Sequence, residues 1–207
     1  MLKVGLTGGV ACGKSTIGQM LVARGAHLIR ADDIAHQLML PGQPVYEKVL
    51  QHFGPGIVHP DGTLDRQKLA EAAFGGGRVA ELNRIVHPAV IEYQNRWMDE
   101  TGKRDPNAVV IVEAALILEA GVQGRFDKLI VVTCGAEQKS ARFAGRQNLA
   151  LGDARAEVER RSAAQIADKE KVLVADFVID NSGTLWAAEQ QVDALWPELK
   201  RLAETNP

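Results

Sequence analysis

A glycine-rich stretch close to residue 1 constrains what this chain can fold into more than any other segment. Residues 4–16 read VGLTGGVACGKST and contain the pattern GxxxxGKS at positions 8–15, which is the spacing of a phosphate-binding loop. Leu2–Thr7 before the loop is predicted to be a buried strand, and Thr16–Ala23 after it has the apolar spacing of a helix. Strand, glycine loop and helix is the arrangement that the pattern requires.

The residue types of the loop fit the binding of a nucleoside triphosphate. Glycines allow left-handed or crowded backbone conformations, so successive N–H groups can point at one anion, and the N-terminus of the next helix adds its dipole. A lysine supplies positive charge for the β- and γ-phosphates, and a hydroxyl ligates Mg²⁺. The alternative is a strand-to-helix turn that binds nothing. We predict that the nucleotide is bound by Gly8, Gly9, Ala11, Cys12, Gly13, Lys14, Ser15 and Thr16.

Composition places the chain among ordinary globular proteins. Its 207 residues suit one domain with a small insertion, and 46 % of them are apolar and 24 % charged. A net charge of −2 argues against a nucleic-acid-binding protein, and no apolar run approaches the roughly 20 residues that cross a bilayer. Cys12 and Cys134 are too few for a disulfide framework. We therefore expect a cytoplasmic protein without a signal peptide, in which Cys12 has no redox role.

Apolar segments that alternate with helical ones predict an α/β fold. The segments AVVIVE and KLIVVT are nearly continuous in β-branched residues, as expected for parallel strands that are covered on both faces. The pattern predicts a doubly wound, five-stranded parallel sheet, with ligands beyond the carboxyl ends of the strands. The predicted strands are Leu2–Thr7, His27–Arg30, Ala108–Glu113, Lys128–Thr133 and Phe177–Asp180.

The segment from residue 41 to residue 102 is too long for a plain connection between strands. We predict a mostly helical insertion that covers the acceptor side of the site, with a tight turn at His59-Pro60-Asp61-Gly62. Its predicted helices are Val45–Phe53, Asp65–Phe74, Val79–Val86 and Ala89–Thr101.

Two carboxylates follow predicted strands on the ligand-binding edge of the sheet. Asp32 comes just after the second strand, where it could aim an attacking hydroxyl at the γ-phosphate. It could equally be the N-cap of a helix over Asp33–Leu40, and spacing alone leaves both readings open. Glu113 ends the third strand beside the phosphate-binding loop, within reach of Mg²⁺.

Basic side chains form the remaining candidates. His87 precedes Pro88 at a predicted helix start, where it is either part of the N-cap region or a neighbour of a substrate phosphate. Arg142 and Arg146 are four residues apart on one helix face, which is either a phosphate clamp or a solvated basic face. The alternating charges from Glu157 to Lys171 are predicted to form a solvated helix surface.

Several segments in a fixed order together resemble the dephospho-coenzyme A kinase family. They cover most of the chain, and although the phosphate-binding loop alone is generic, the combination is quite specific. The segments are GLTGGVACGKST (5–16), ADDIAHQLMLPGQPV (31–45), DGTLDRQKL (61–69), LNRIVHP (82–88), LILEAG (116–121) and DFVIDNSG (176–183).

The resemblance implies an activity and a domain organisation. The activity is phosphotransfer from ATP, with Mg²⁺, to an alcohol group, the ribose 3′-hydroxyl of dephospho-coenzyme A. The P-loop kinase core would comprise residues 1–35, 103–136 and 172–207, the helical acceptor insertion 36–102 and the helical lid 137–171.

The resemblance also implies roles for single residues. Asp32 matches the catalytic carboxylate, supported by Lys14 and Arg142, while Arg66 and His87 fall in the acceptor-binding region. The remaining roles are nucleotide contacts by Arg142 and Arg146 of the lid and an adenine contact by Asn181. Metal ligation is predicted for Ser15 from the loop pattern and for Glu113 from its place at the end of a strand. The family usually has a carboxylate where this chain has Arg30. The Arg30 side chain could pair with Asp32 or Asp33.

Two alternatives remain at the level of sequence. One is another P-loop small-molecule kinase, acting on a nucleoside monophosphate or a metabolite alcohol. The other, more remote, is a nucleotide-dependent switch, but the Asn-Lys-x-Asp segment that reads guanine does not occur in the chain. We expect a small-molecule substrate, no nucleic acid or membrane partner, and a monomer or weak homo-oligomer.

Overall fold

The computed structural model describes residues 1–205, so the last two positions of the predicted core segment 172–207 lie outside the described residues. The chain divides into two compact units. The first comprises Met1–Leu28 and Glu100–Pro207, and the second Ile29–Asp99. The assignment of nucleotide core, acceptor insertion and lid to stretches of the chain stays a prediction.

A five-stranded sheet forms within residues 1–205, with the strand order β2-β3-β1-β4-β5. Strand β1 pairs in parallel with β3 and β4, and β4 with β5. The predicted doubly wound parallel sheet is confirmed, and each predicted strand is found within one residue of its bounds. The strands are β1 (Leu2–Gly8), β2 (His27–Arg30), β3 (Val109–Glu113), β4 (Lys128–Thr133) and β5 (Phe177–Asp180).

Helices fill the connections between the strands. Within residues 1–205, no helix combines the length and the apolar character that crossing a membrane requires. The helices are α1 (Lys14–Ala23), α2 (Ala31–Leu38), α3 (Pro44–Phe53), α4 (Arg66–Ala70), α5 (Val79–Arg104), α6 (Ala136–Gln147), α7 (Leu151–Ala163), α8 (Asp168–Leu173) and α9 (Leu185–Thr205). Shorter turns are 3-10 helices at Pro55–Ile57 and Gln123–Arg125 and a π-helical turn at Glu71–Gly75.

The main core of the first unit lies against one face of the sheet. Alternate side chains of β1 point to this face, as the two-residue period of a strand dictates, and α1 and α9 cover them. On the opposite face Gly5 lets other side chains approach β1, because a Cβ there would lie 2.9 Å from Phe126 Cδ2. The fully buried members of the main core include Leu2, Val4, Leu6, Ile17, Leu21, Val192 and Leu199.

The second unit has an apolar core of its own. One face each of α2, α3 and α5 contributes to it, with Ile57 and Leu69 from the segment between α3 and α5. The predicted tight turn is confirmed in that segment, where Gly62 N–H donates to His59 O at 2.9 Å. The buried residues are Ile34, Val45, Val49, Ile57, Leu69, Val86 and Val90.

The predicted helix start at Pro88 is wrong. Helix α5 runs without interruption through Val79–Arg104, with Pro88 inside it. Proline removes one backbone hydrogen bond of a helix, but Val86 and Val90, one turn apart, are both buried in the same core. The packed apolar stripe on both sides of the proline therefore outweighs the local preference for a helix boundary.

The predicted solvated surface from Glu157 to Lys171 is also wrong in one respect. Lys171 is fully buried, and its Nζ lies 2.9 Å from Glu119 Oε1. The same carboxylate oxygen accepts the Ile166 backbone N–H at 3.0 Å. An ammonium is buried only where a counter-charge meets it, and Glu119 lies too far away in the sequence for charge alternation to reveal it.

We expect Lys171→Met to lower the free energy of unfolding by about 3 kcal/mol, because Glu119 loses its counter-charge and keeps only the Ile166 N–H. Lys169→Met is the matched control, since Lys169 is exposed two residues earlier in α8 and should change stability by less than about 0.5 kcal/mol. Urea denaturation of both variants makes the measurement. Equal unfolding midpoints would show that the buried pair contributes nothing.

Candidate active site

The phosphate-binding loop has a backbone that only glycine tolerates at two positions. Gly8 has φ 150°, and a Cβ there would lie 2.1 Å from Val132 O; Gly13 has φ 92°, and its Cβ would lie 2.2 Å from Asn181 Nδ2. Ala11 also has a positive φ, 53°, which costs a residue with a side chain about 1 kcal/mol. The sequence thus folds into the tight loop that its glycines predict.

Lys14 lies along the loop. Its Nζ donates to Gly8 O at 3.1 Å and to Gly9 O at 3.0 Å. Gly13 is the N-cap of α1, and among the described residues no side chain caps this end of the helix. The positive end of the α1 dipole is therefore left for an anion to meet.

Asn181 and Arg142 donate hydrogen bonds to the backbone of the phosphate-binding loop. Asn181, which is buried, donates from Nδ2 to Cys12 O at 2.8 Å. Arg142 donates to the same carbonyl at 3.3 Å and to Asn181 O at 2.8 Å. These bonds tie the end of β5 and helix α6 to the loop backbone. The predicted adenine contact of Asn181 and the predicted phosphate contact of Arg142 stay predictions.

Ser15 and Glu113 meet at the start of α1. The Ser15 hydroxyl donates to Glu113 Oε1 at 2.6 Å. Glu113 Oε2 is buried, and among the described residues it has no hydrogen-bond partner. A hydroxyl and a carboxylate with a free oxygen are hard ligands of the kind that Mg²⁺ prefers. Ser15 and Glu113 therefore fit the predicted metal. Within residues 1–205, no cluster of three or more His, Cys, Asp or Glu side chains offers another site.

The two cysteines are free thiols in the interior of the first unit. Burial raises the pKa of the Cys12 thiol, although the nearby ammonium of Lys14 opposes the effect. Burial likewise raises the pKa of Cys134. Since the thiolate is the reactive form, neither side chain is activated at neutral pH, which supports the expected absence of a redox role for Cys12.

Arg142 and Arg146, which were predicted to form a phosphate clamp, lie in different surroundings. Arg142 contacts the loop, whereas Arg146 is exposed, with its guanidinium 5.6 Å from the centre of the Phe143 ring. Arg161 of α7 lies over the same ring at 5.1 Å. Phe143 is buried in the contact between α6 and α7. The role of Arg146 toward the nucleotide stays a prediction.

Asp32 is an unpaired carboxylate in the first turn of α2. The N-cap of this helix is Arg30, so the alternative reading of Asp32 as the N-cap is wrong. Arg30 instead pairs with Asp33, Nε to Oδ2 at 2.7 Å. Asp32 is exposed, and among the described residues nothing forms a hydrogen bond or ion pair with it. Its acceptor oxygens are therefore free for a substrate hydroxyl.

A cavity of about 620 Å³ lies in the second unit. Its wall combines apolar side chains with polar ones, among them Met39, Leu40, Leu64, His36, His59 and Arg66. His36 is one turn after Asp32 in α2, so the two side chains share a helix face. The four-residue spacing from Asp32 could have indicated His36 from the sequence. Neither His36 nor His59 was predicted as a site residue.

Asp65 sets the position of Arg66 at the edge of this cavity. As the N-cap of α4, it accepts the N–H groups of Gln67 and Lys68, each at 3.1 Å. The Lys68 N–H is the main reason why the pKa of Asp65 lies below its usual value. Arg66 is thereby fixed as the first residue of a helix with its side chain exposed.

His87 lies inside α5 rather than at a helix start, so the dipole argument for an anion beside it no longer applies. Burial lowers the pKa of the His87 imidazole, which is therefore mainly neutral at pH 7. A neutral imidazole binds a substrate by one donated and one accepted hydrogen bond. The predicted acceptor contact of His87 stays a prediction.

Comparisons with known proteins agree on one family. The dephospho-CoA kinase family model matches residues 2–187. The dephospho-CoA kinase of Symbiobacterium thermophilum is 42 % identical over 194 residues, 93 % of this chain and 79 % of the relative. That of Moorella thermoacetica is 37 % identical over 208 residues, 100 % of this chain and 96 % of the relative. The solved structure of a dephospho-CoA kinase from Campylobacter jejuni superposes with a TM-score of 0.69 at 26 % identity, covering 96 % of this chain and 97 % of that one.

We expect Asn181→Ala to weaken nucleotide binding, because the Cys12 carbonyl loses its shortest hydrogen bond and the loop backbone is less firmly held. The free energy of unfolding should fall by about 1–2 kcal/mol. The measurement is the melting temperature with and without ATP, beside Asn107→Ala, a change in an exposed turn. A stabilisation by ATP as large as in the unchanged protein would contradict the bracing role.

Proposed function

This chain belongs to the dephospho-CoA kinase family and is therefore a kinase, and we propose that it transfers the γ-phosphate of ATP to the ribose 3′-hydroxyl of dephospho-CoA. The products are CoA and ADP. The observation that carries the proposal is the glycine loop with Lys14 and the uncapped N-terminus of α1, in a chain that matches the family over residues 2–187. Such a loop binds the phosphates of a nucleotide.

Phosphoryl transfer passes through a loose transition state, so catalysis rests on positioning and on stabilisation of charge. We assign to Lys14 and to the first N–H groups of α1 the stabilisation of the β- and γ-phosphates. Arg142 would add a guanidinium to the same charge. Its guanidinium donates to Cys12 O in the loop, and this contact supports the assignment.

Asp32 is proposed as the group that receives and orients the acceptor hydroxyl. Its carboxylate has no partner among the described residues, whereas the adjacent Asp33 is held by Arg30. A free carboxylate accepts the hydrogen bond of the 3′-hydroxyl and takes its proton as the bond to phosphorus forms. The match of ADDIAHQL at 31–38 to the family supports this role.

Mg²⁺ is the proposed cofactor beside ATP, held by Ser15 and Glu113. When bound, the ion neutralises charge on the phosphate oxygens during transfer. The free Oε2 of Glu113 and the neighbouring Ser15 hydroxyl support this assignment. Mg²⁺ usually keeps several waters and few protein ligands, which agrees with the small number of donors at this place.

The cavity of the second unit is the proposed acceptor site. Its volume of about 620 Å³ lies within the usual range of 300–1,000 Å³ for small-molecule sites. The exposed guanidinium of Arg66 suits the diphosphate of the acceptor, and the apolar wall suits an uncharged part of it. His87 is proposed as a further acceptor contact through a neutral hydrogen bond. A cytoplasmic location and a monomer or weak homo-oligomer stay predictions.

The test of the function is ADP release from ATP and Mg²⁺ with dephospho-CoA, beside adenosine, AMP and shikimate as acceptors. We expect fast ADP release with dephospho-CoA alone, because among these acceptors only it combines a ribose 3′-hydroxyl for Asp32 with a diphosphate for Arg66. Fast release with another acceptor would favour the alternative of a different small-molecule kinase. Equally slow release in every tube would contradict the named acceptor.

We expect Asp32→Asn to lower kcat by about a hundredfold or more, since one positioned proton acceptor contributes about 10²–10⁴-fold. The KM for ATP should change little, because Asp32 is not assigned to the nucleotide. Asp33→Asn is the matched control on the same helix turn and should keep kcat within about twofold, since surface pairs contribute little. The measurement is steady-state kinetics of both variants. Similar kcat values for the two would contradict a catalytic role of Asp32.

A further inference from the structure

An ion pair lies directly on the phosphate-binding loop and has no part in the mechanism described so far. Lys139 of α6 pairs with Asp168, the first residue of α8. A Cβ placed on Gly9 would lie 2.7 Å from Asp168 Oδ1 and 2.9 Å from Lys139 Nζ. Both charged groups are therefore packed against the backbone of the loop.

The ammonium of Lys139 approaches the same residue of the loop as that of Lys14. Lys14 Nζ donates to Gly9 O at 3.0 Å, so two lysines lie around Gly9. Arg142 is three residues after Lys139 on α6 and also contacts the loop. Helix α6 thus presents two cations to the loop, and Asp168 is the carboxylate that meets one of them.

Water reaches the carboxylate of the pair more than the ammonium, because the Asp168 side chain is 29 % exposed and that of Lys139 12 %. Helix α8 is anchored independently by Lys171, which is fully buried against Glu119. The pair can therefore open while α8 keeps its attachment to the first unit.

We propose that Lys139 is a second phosphate-binding lysine of the nucleotide site, and that Asp168 is the partner its ammonium leaves when ATP binds. The proposal rests on the proposed function only in taking ATP as the nucleotide. Carboxylate and phosphate oxygens are alternative acceptors for the same N–H groups. A γ-phosphate beside Gly9 attracts Lys139 and repels Asp168, so binding exchanges one ion pair for another.

This exchange gives the two side chains opposite effects on affinity. Lys139 contributes an attractive contact to the phosphates in the bound state, whereas Asp168 competes for that contact and adds negative charge beside an anion. A purely structural pair would behave differently, because loss of either member removes the same interaction. The sign of the two effects is therefore the deciding observation.

The experiment is calorimetric titration of ATP with Mg²⁺ into the full chain and its variants, without acceptor. Lys139→Met should raise the Kd for ATP about tenfold, the value of one charge-assisted contact. Asp168→Asn should lower the Kd about threefold, because it removes a like charge near the phosphates. Lys169→Met, which makes the same change of charge on an exposed neighbour, should leave the Kd unchanged.

Shorter nucleotides locate the contact. The effect of Lys139→Met should be largest with ATP, smaller with ADP and absent with AMP, because the site lies at the loop and not at the nucleoside. Shifts of the Kd in the same direction for both variants, or no shift for either, would overturn the proposal. If Lys139→Met does not fold, the Kd for ATP is measured with Asp168→Asn and Lys139→Arg instead. The readout needs no acceptor, so failure of dephospho-CoA as the substrate would leave these results interpretable.

Discussion

The hydrogen bond from Asn181 to the carbonyl of Cys12 is the interaction on which the nucleotide site depends. It joins the residue after β5 to the middle of the loop that follows β1, at 2.8 Å and away from solvent. The loop carries positive φ angles at Gly8, Ala11 and Gly13; glycine adopts such angles readily, whereas at Ala11 surrounding contacts must fix the strained backbone. Arg142 adds a second bond to the same carbonyl, so the anion-binding N–H groups are arranged before any nucleotide arrives.

Two ion pairs in the first unit differ in how deeply they are buried and in what they contact. The pair of Lys171 and Glu119 is buried and attaches α8 to the segment after β3. The pair of Lys139 and Asp168 is partly exposed and lies on the loop. Buried pairs are costly to break, whereas pairs that water reaches contribute less to stability. The pair of Lys171 and Glu119 therefore stabilises the attachment of α8, whereas the pair of Lys139 and Asp168 lies where a ligand of the loop can compete for it.

Sequence reasoning found the sheet and the loop because their signals are local. The β-branched runs of β3 and β4 and the glycine spacing at 8–15 each predict their own structure. The continuity of α5 through Pro88 was not predictable, since it depends on Val86 and Val90 packing into a core assembled from distant segments. The burial of Lys171 was missed for the same reason, because its partner Glu119 is remote in sequence. Within the candidate site, the N-cap at Arg30 and the cavity beside His36 needed the folded second unit.

We propose that this kinase places a phosphate on one hydroxyl, the ribose 3′-hydroxyl of dephospho-CoA. Proton-coupled phosphorus NMR of the product formed from dephospho-CoA, ATP and Mg²⁺ tests it most directly. We expect a new phosphomonoester resonance whose phosphorus couples to the ribose H3′ proton, formed in step with ADP. Coupling to H2′ instead, or ADP formation with no phosphomonoester on the acceptor, would contradict it.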